Sequence, residues 1–280
     1  MNAVATDLPR VRHRSPVAAT LAPLATLVGR RFALTVRTPR ELVVPLLTPV
    51  LFALVIAPAL KKALHTSADY ESYVAVGTMG LLIPLNAMLS GIGVIVDRET
   101  GAQRELLAAP IARPLLVLAN LVVVLATTSL QIGALIGFAV LRRIHFHVTA
   151  TGALWFLAVT LLFTVAMYGV AETLASKVPR TEEYVGRVPV IAIVPWFLAG
   201  SLFPISAMPL VLGWIAKALP LTHALAVMRY GLLSDSSGLH AIWGMSDPTA
   251  MAALSLLVVG VFAALLTLVS IRVFSRSALR

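Results

Sequence analysis

The sequence predicts an all-α membrane protein with six transmembrane helices, on the basis of its composition and the spacing of its charges. Of its 280 residues, 59% are hydrophobic and 12% are charged, whereas soluble domains have roughly 45–50% and about 25%. The charged residues delimit six uncharged stretches: 42–60, 72–96, 114–141, 148–171, 188–216 and 248–271. Each stretch is near or above the ~18–20 apolar residues that cross a bilayer as a helix, and helices leave no backbone group unpaired in lipid.

Six spans place both termini on one side of the membrane, and the basic residues indicate which side. With the N-terminus in the cytoplasm, sixteen Lys and Arg residues fall on cytoplasmic segments and six on outer segments. This bias follows the positive-inside rule, and anionic lipid is a better partner than nucleic acid for a net charge of +10. We therefore expect a multi-pass protein of the cell membrane with both termini cytoplasmic.

The region before the first span divides into a tail and a helix. Residues 1–16 are rich in Arg and Pro and are predicted to be disordered. Residues 21–38 have helical periodicity, with an apolar face of Leu24, Leu27, Val28, Phe32 and Leu34 and a polar face of Thr26, Arg30 and Arg37. We expect an amphipathic helix in the cytoplasmic interface, with Arg31 extending from the apolar side to water. A lead-in helix that only anchors the chain is the equally weighted alternative.

The loop between the second and third spans, from Asp97 to Pro114, is the most charge-dense part of the chain. Gly101 permits a break, residues 102–109 are good helix formers, and Pro110 stops the helix. A short helix parallel to the membrane is therefore expected. Its mixed charges and its Leu106-Leu107 pair suit docking into a groove on a soluble partner, whereas a solvated loop that obeys the positive-inside rule is the alternative.

Few polar side chains fall within the spans. Asn86 and Gln131 are expected to form hydrogen bonds between helices, and Asn86 is also a candidate for lining a pore. Glu172 is an acid near the inner end of the fourth span, where intramembrane acids are candidate functional residues. We nevertheless expect Glu172 to reach water or to pair with Lys177 or a nearby arginine. The small residues of 89–93 predict close helix packing.

The segment between the fifth and sixth spans is broken by prolines. The run 188–216 is longer than one span needs, so the span should end near Phe203–Pro204. Residues 210–233 are apolar but contain Lys217 and Arg229, and two charges near the bilayer centre would cost roughly 5–7 kcal/mol. A seventh span there would also place the C-terminal arginines outside. We therefore predict re-entrant helices that enter the outer leaflet, where irregular backbone is buried in protein or lines a wet cavity.

Two motifs of the chain are distinctive. The first is Asp-Arg-Glu-x-Gly-x-x-x-Glu-Leu-Leu-x-Ala-Pro-x-x-Arg, which runs from Asp97 to Arg113. The second runs from Phe197 through the Phe203-Pro204 pair to Pro220-Leu221-Thr222 and Arg229. Both resemble motifs of ABC-2 type permeases, close to the daunorubicin-resistance branch of drug exporters, and the likeness covers about residues 20–278. Residues 1–40 are accordingly taken as a tail with an interfacial helix, and residues 41–278 as the transmembrane domain.

The resemblance implies half of a membrane pore, paired with a second copy or a paralogous permease and bound to ABC ATPase subunits. It implies a coupling helix received by the ATPase, with the residues Asp97, Arg98, Glu99, Gly101, Arg104, Glu105, Leu106, Leu107, Pro110 and Arg113. It implies a path at the dimer interface lined by Thr48, Pro49, Phe52, Asn86, Met88, Trp196, Phe197 and Ser201. It further implies an outer gate formed by Phe203, Pro204, Pro209, Pro220 and Arg229.

The sequence itself favours a permease over an enzyme. It has no Gly-x-x-x-x-Gly-Lys-Ser/Thr phosphate loop, so we expect ATP and magnesium to be bound by the partner and no cofactor by this chain. His145 and His147 lack a third ligand nearby, and no metal is expected. We expect export of a hydrophobic or amphiphilic compound, such as a drug, a lipid or a natural product. An ion-coupled secondary transporter is the alternative, although Glu172 is the single acid within its spans. An intramembrane enzyme would need catalytic motifs that are absent from the sequence.

Overall fold

A computed structural model of the chain describes residues 16–64 and 70–277, which are almost entirely helical. The predicted disordered tail lies outside the described residues. A π-helical turn, Phe52–Ile56, and a 3-10 turn, Ile205–Ala207, interrupt the α-helices. In chain order the α-helices are α1 Pro16–Arg37, α2 Pro39–Leu51, α3 Ala57–Leu64, α4 Tyr70–Glu99, α5 Ala102–Ala108, α6 Pro114–Leu141, α7 Ala150–Lys177, α8 Thr181–Leu198, α9 Leu210–Ala218, α10 Pro220–Leu233, α11 Ser237–Trp243 and α12 Pro248–Ser277.

Five helical segments in the described part of the chain are long and apolar enough to cross a membrane. They correspond to the predicted spans one to four and six, and are Leu42–Ala63, Tyr70–Glu99, Pro114–Leu141, Ala150–Lys177 and Pro248–Arg276. The number becomes six if α9 and α10, which meet at an angle of 81°, are counted as one broken span. The chain is therefore a membrane-type protein with several apolar helices.

The predicted fifth span forms α8, which does not qualify by composition because its eighteen residues include Glu182, Glu183 and Arg187. Its contacts nevertheless place it beside α4 along most of its length. Near its start, the Tyr184 hydroxyl donates to the carbonyl of Met88 at 2.8 Å. Near its end, the Trp196 indole donates to the carbonyl of Gly77 at 2.7 Å. The two helices therefore run antiparallel.

These contacts define two ends of the bundle, here called the Glu99 end and the Tyr73 end. At the Glu99 end, Thr181 of α8 donates to the Glu99 carboxylate at 3.4 Å. At the Tyr73 end, the Tyr73 hydroxyl donates to the carbonyl of Gly200 at 2.7 Å, just beyond α8. An α-helix of eighteen residues is about 27 Å long, so α8 extends from one end to the other.

Helix α10 remains near the Tyr73 end. Its first half packs against Gly80 of α4 through Leu221 and Leu225. Its last turn approaches Gly152 at the start of α7, and the carbonyl of Leu232 accepts from the amide of His147 at 2.8 Å. Both ends of α10 thus contact residues in the same half of the bundle.

Helix α4 is the centre of the protein, because residues from its first turn to Met88 are almost all buried. The largest buried side chains around it are those of Tyr184, Trp196 and Phe163. Lipid is as apolar as these side chains, so packing and interhelical hydrogen bonds hold such a bundle together rather than exclusion of water. Asn86 supplies two of these bonds, to the hydroxyls of Thr127 at 3.1 Å and Thr128 at 2.7 Å.

The interhelical role predicted for Asn86 and Gln131 is confirmed. Gln131 of α6 donates to the carbonyl of Leu42 in α2 at 2.8 Å. Close packing at residues 89–93 is also confirmed, because a side chain at Gly91 would collide with Tyr184 and one at Gly93 would collide with the guanidinium of Arg31. The small residues therefore admit two polar side chains against α4.

Candidate functional site

The first candidate site is the short helix α5 at the Glu99 end, and its boundaries follow from local sequence. Gly101 precedes α5 with φ of +82°, a conformation that glycine adopts without steric cost. The helix ends at Ala108, because Ala109 is extended and Pro110 follows. The predicted helix over 102–109 is therefore confirmed to within one residue.

The exposed face of α5 is charged. Arg104, Glu105 and Ala108 are exposed, whereas Leu106 and Leu107 are only partly accessible and pack against a buried cluster that includes Leu116 and Phe274. Both leucines attach α5 to its own chain in this structure. Their expected role in docking a partner stays a prediction.

Asp97 joins α4 to the N-terminal helix. Its Oδ1 accepts from Arg30 at 3.0 Å, and its Oδ2 lies 3.5 Å from Nη1 of Arg31. The Arg31 side chain is 9% exposed, and its Nη2 donates to the carbonyl of Ser90 at 3.1 Å. The expectation that Arg31 extends to water is wrong, because Gly93 leaves space for its guanidinium against α4.

Two other charged residues of the predicted coupling motif, Arg98 and Arg113, bind backbone carbonyls of the same chain. Arg98 donates to the carbonyls of Ala175 at 3.0 Å and Val178 at the end of α7. Arg113 donates to the carbonyl of Ser275 in α12 at 3.1 Å. Of the ten predicted coupling residues, Asp97, Arg98 and Arg113 thus hold the Glu99 end together. Glu99, Arg104, Glu105 and Pro110 are exposed, and Gly101 forms the break before α5.

The eight residues of the predicted path do not share one surface. Met88, Trp196 and Ser201 are fully buried and Asn86 and Pro49 nearly so, whereas Phe197 is 45% exposed. Thr48 and Phe52 are partly exposed. In this conformation Met88, Trp196 and Ser201 are core residues, because their side chains face α4 and its neighbours. The predicted path stays a prediction. Of its residues, Thr48, Phe52 and Phe197 have exposed surface, on α2, the π-helical turn and α8.

An aromatic cluster joins the first span to α8 at this surface. The Phe52 and Trp196 rings are edge-to-face with centroids 4.9 Å apart, and the Trp196 and Phe197 rings are also 4.9 Å apart. Phe52 begins the π-helical turn, which follows Pro45 and Pro49 in α2. Prolines remove helix hydrogen bonds and π-helical turns occur frequently at functional sites. The first span is therefore irregular where it adjoins α8.

The predicted outer gate surrounds one buried arginine. Arg229 of α10 is 4% exposed and donates through Nη2 to the carbonyls of Gly200 at 2.9 Å and Ser201 at 3.1 Å. Its guanidinium carbon lies 3.5 Å from the centroid of the Tyr73 ring. Phe203, Pro204 and Pro209 are exposed on the segment that Arg229 anchors, and Pro220 begins α10.

Glu172 lies inside the bundle, and the expectation for it is wrong. Its side chain is completely buried, and among the described residues no Lys or Arg nitrogen lies within 4 Å of it. Its Oε2 accepts from the Tyr168 hydroxyl at 2.6 Å, whereas Oε1 has no hydrogen-bond partner. Tyr168 was missed, although its spacing of four residues on the same helix face indicates the contact.

No group of three or more potential metal ligands occurs within the described ranges. The prediction that the chain binds neither a metal nor a cofactor stays a prediction. The backbone of His147 is bound to α10, and the carbonyl of His145 accepts from Ser72 at 3.1 Å. The His145-x-His147 segment therefore attaches the α6–α7 connection to its neighbours.

Comparisons with known proteins agree with this architecture. The sequence profile described as ABC-2 type transporter matches residues 23–233. The chain is similar to ycf38 of Porphyra purpurea, provisionally named a transport permease, with 26% identity over 212 residues that cover 74% of this chain and 72% of the relative. The profile match spans most of the chain, from α1 to the end of α10, and therefore places this protein in the ABC-2 type transporter family.

Proposed function

We propose that this chain is the membrane permease of an ATP-driven exporter, and that a separate ATPase subunit binds the exposed charged face of α5. The observation that carries this proposal is the way in which α5 is attached to the rest of the chain. Its apolar side is packed on the chain, its ends are joined to α4 and α6, and Arg104 and Glu105 remain exposed. A displacement of α5 by a bound ATPase would therefore be transmitted to α4 and α6.

The proposal includes six membrane-spanning segments, with α8 as the fifth and α9–α10 as re-entrant helices. The antiparallel contact of α8 with α4 supports this topology, as does the location of both ends of α10 near the Tyr73 end. The Glu99 end would be cytoplasmic, because the sixteen basic residues assigned to the inside include Arg98, Arg104 and Arg113. Both termini would then be cytoplasmic.

The proposal also includes a second permease, identical or paralogous, opposite the surface of α2 and α8. Few residues of the first span are buried within the chain, and its exposed residues include Val43, Leu47 and Val55. Helix α8 adds Val190, Val194 and Phe197 to the same apolar surface. A path between two such surfaces would have apolar walls, which suit hydrophobic or amphiphilic compounds and discriminate poorly among them.

The test is reconstitution with a candidate ATP-binding cassette ATPase from the same genome. We expect the two proteins to co-purify, the permease to change the rate of ATP hydrolysis, and inverted vesicles to accumulate a lipophilic dye only with ATP. A permease with the charges of Arg104 and Glu105 exchanged is the matched variant. Normal transport without any ATPase would overturn the proposal.

The buried acid Glu172 favours a second candidate, an ion-coupled transporter. A carboxyl group with one unpartnered oxygen inside a bundle is a feature of proton relays. This candidate predicts that a proton gradient alone drives transport. The effect of Glu172→Gln, described in the Discussion, separates the two mechanisms.

A further inference from the structure

A cavity of about 150 Å³ lies at the Tyr73 end, between the start of α4, the turn after α8, and helices α10 and α11. A water molecule requires only about 10–15 Å³, so a larger group fits. Its polar lining includes Tyr73, Thr222, Arg229 and Ser237. A second cavity of about 280 Å³ adjoins it under α9 and shares the lining residues Ile205, Ser206 and Ala241.

Arg229 contributes a buried positive charge to this cavity. Two carbonyls and the Tyr73 ring contact its guanidinium, but Nε has no hydrogen-bond partner. Within residues 16–64 and 70–277 no carboxylate lies within 4 Å of it. The carboxylate of Asp235, just beyond α10, attracts Arg229 from a distance without forming an ion pair, and it accepts from the amide of Ser237 at 2.8 Å. A buried cation without an ion-pair partner in contact with it is costly, so an anionic ligand that contacts Arg229 would stabilise it.

Thr222 supplies a second unpartnered group in the same cavity. Its side chain is 3% exposed, and its Oγ1 is buried without a hydrogen-bond partner. A hydroxyl and a guanidinium both donate to oxyanions, and arginine matches the planar geometry of phosphate and carboxylate oxygens. Two buried donors that line one cavity therefore indicate a ligand that carries an oxyanion.

The adjoining cavity is mainly apolar. Its lining includes Met208, Leu210 and Trp214, and the last two are 78% and 68% exposed on α9. The ammonium group of Lys217 lies 5.7 Å from the centroid of the Trp214 ring. Tryptophan and lysine together are typical of the boundary between hydrocarbon and headgroups. The two cavities thus join an oxyanion site to an apolar surface.

We propose that this pair of cavities binds an anionic amphiphile, with its phosphate or carboxylate against Arg229 and Thr222 and its apolar chain along α9. The ligand is a phospholipid of the surrounding leaflet or a free amphiphile of the same chemistry. The inference does not depend on ATP-driven export, because the site lies within one chain and needs no ATPase.

The test is native mass spectrometry of the full chain, released from a neutral detergent with an equimolar mixture of phosphatidylglycerol and phosphatidylcholine. Dodecyl phosphate is a parallel probe that does not form bilayers. We compare the parent with Arg229→Gln and with Ala241→Leu, which fills the shared wall of both cavities and leaves Arg229 intact. Arg142→Gln removes an exposed arginine after α6 and is the matched control.

We expect the parent to retain one phosphatidylglycerol in preference to phosphatidylcholine. Arg229→Gln should weaken retention about tenfold or more, the effect of losing a hydrogen bond to a charged group. Ala241→Leu should also weaken retention, because its side chain occupies the space of the ligand, and Arg142→Gln should not. Selective binding of phosphatidylglycerol alone identifies a membrane lipid, whereas binding of dodecyl phosphate as well identifies the headgroup as the recognised part. Equal retention of both lipids by the parent, or undiminished selectivity in folded Ala241→Leu, would overturn the proposal.

Discussion

Nη2 of Arg30 donates to Oδ1 of Asp97 at 3.0 Å, and this bond joins a helix that precedes the first span to the last turn of α4. Arg31 approaches the other carboxylate oxygen at 3.5 Å from a buried position. One acid therefore balances two arginines. These contacts attach α1 to α4, the span that leads directly into α5. A displacement of α5 would therefore also displace α1.

Removal of the Asp97 charge should weaken this attachment. Asp97→Asn leaves the buried Arg31 without a counter-ion, and we expect a loss of about 2 kcal/mol in the free energy of unfolding. Thermal unfolding in detergent measures this loss. Glu183→Gln removes an exposed acid near the same end and should have little effect. Equal stability of Asp97→Asn and Glu183→Gln would show that the Asp97 contacts contribute nothing.

Exchange of the exposed charges of α5 should affect the partner and not the fold. The double variant Arg104→Glu/Glu105→Arg keeps the net charge, and we expect its melting temperature to match the parent while its affinity for the ATPase falls at least tenfold. Leu107→Ala should lower the melting temperature and leave the affinity for the ATPase unchanged, because that side chain packs on the chain's own apolar cluster. Co-purification and thermal unfolding measure the two effects. Unchanged ATPase binding by the double variant would exclude this face as the docking site.

Neutralisation of Glu172 separates the two candidate mechanisms. Glu172→Gln retains an oxygen that accepts from Tyr168, so we expect a folded protein and a near-parental rate of ATP-driven dye export. An ionophore that collapses the proton gradient should leave that rate unchanged. Loss of transport in Glu172→Gln together with sensitivity of the parent to the ionophore would instead support ion coupling.

The turn after α8 should not tolerate a side chain at Gly200. This residue has φ of +78°, and a Cβ there would lie 2.8 Å from Cγ2 of Ile205. We expect Gly200→Ala to cost about 1–2 kcal/mol from the backbone conformation alone and to displace the carbonyl that accepts from Arg229. Gly213→Ala is the control, since its Cβ would have only one neighbour, at 4.0 Å. Chemical unfolding that treats the two variants alike would contradict this account.

The absence of cysteine from the sequence permits a direct test of topology. Single cysteines at Glu183, in the first turn of α8, and at Ala207, beyond its other end, replace two exposed residues. In intact cells an impermeant thiol reagent should label Ala207→Cys and should label Glu183→Cys only after the membrane is opened. Labelling of both from the same side would mean that α8 does not cross the membrane, and the six-span topology would then be wrong.

Local chemistry made much of the fold predictable. Gly101 and Pro110 delimit α5 because one permits a left-handed backbone and the other ends a helix. Five spans were predictable because their charges lie only near the ends. The span predicted between the fourth and the last, α8, was harder to predict, because its first turn contains Glu182 and Glu183. The bent pair α9–α10 is more apolar and has fewer charges.

The candidate site was predictable only in part, because helix position does not reveal what a long side chain touches. Arg31 is charged and Leu107 is apolar, yet both side chains pack against the rest of the chain. Arg31 occupies the space beside Gly93, and Leu107 packs on the cluster that includes Phe274. The family resemblance implied a role for Arg229 in an outer gate, but not its contacts. Its carbonyl ligands lie 28 and 29 residues away, and no spacing rule connects them.

The sequence by itself determined that this protein is helical, lies in a membrane and carries a short charged helix between its second and third spans. Hydropathy and helix-stopping residues act locally, so the order of residues is enough to establish these features. Only the tertiary structure decided which charges are free and which are neutralised, because burial and pairing depend on helices that are distant in sequence. That distinction leaves Arg104 and Glu105 exposed and Arg229 buried without an ion pair.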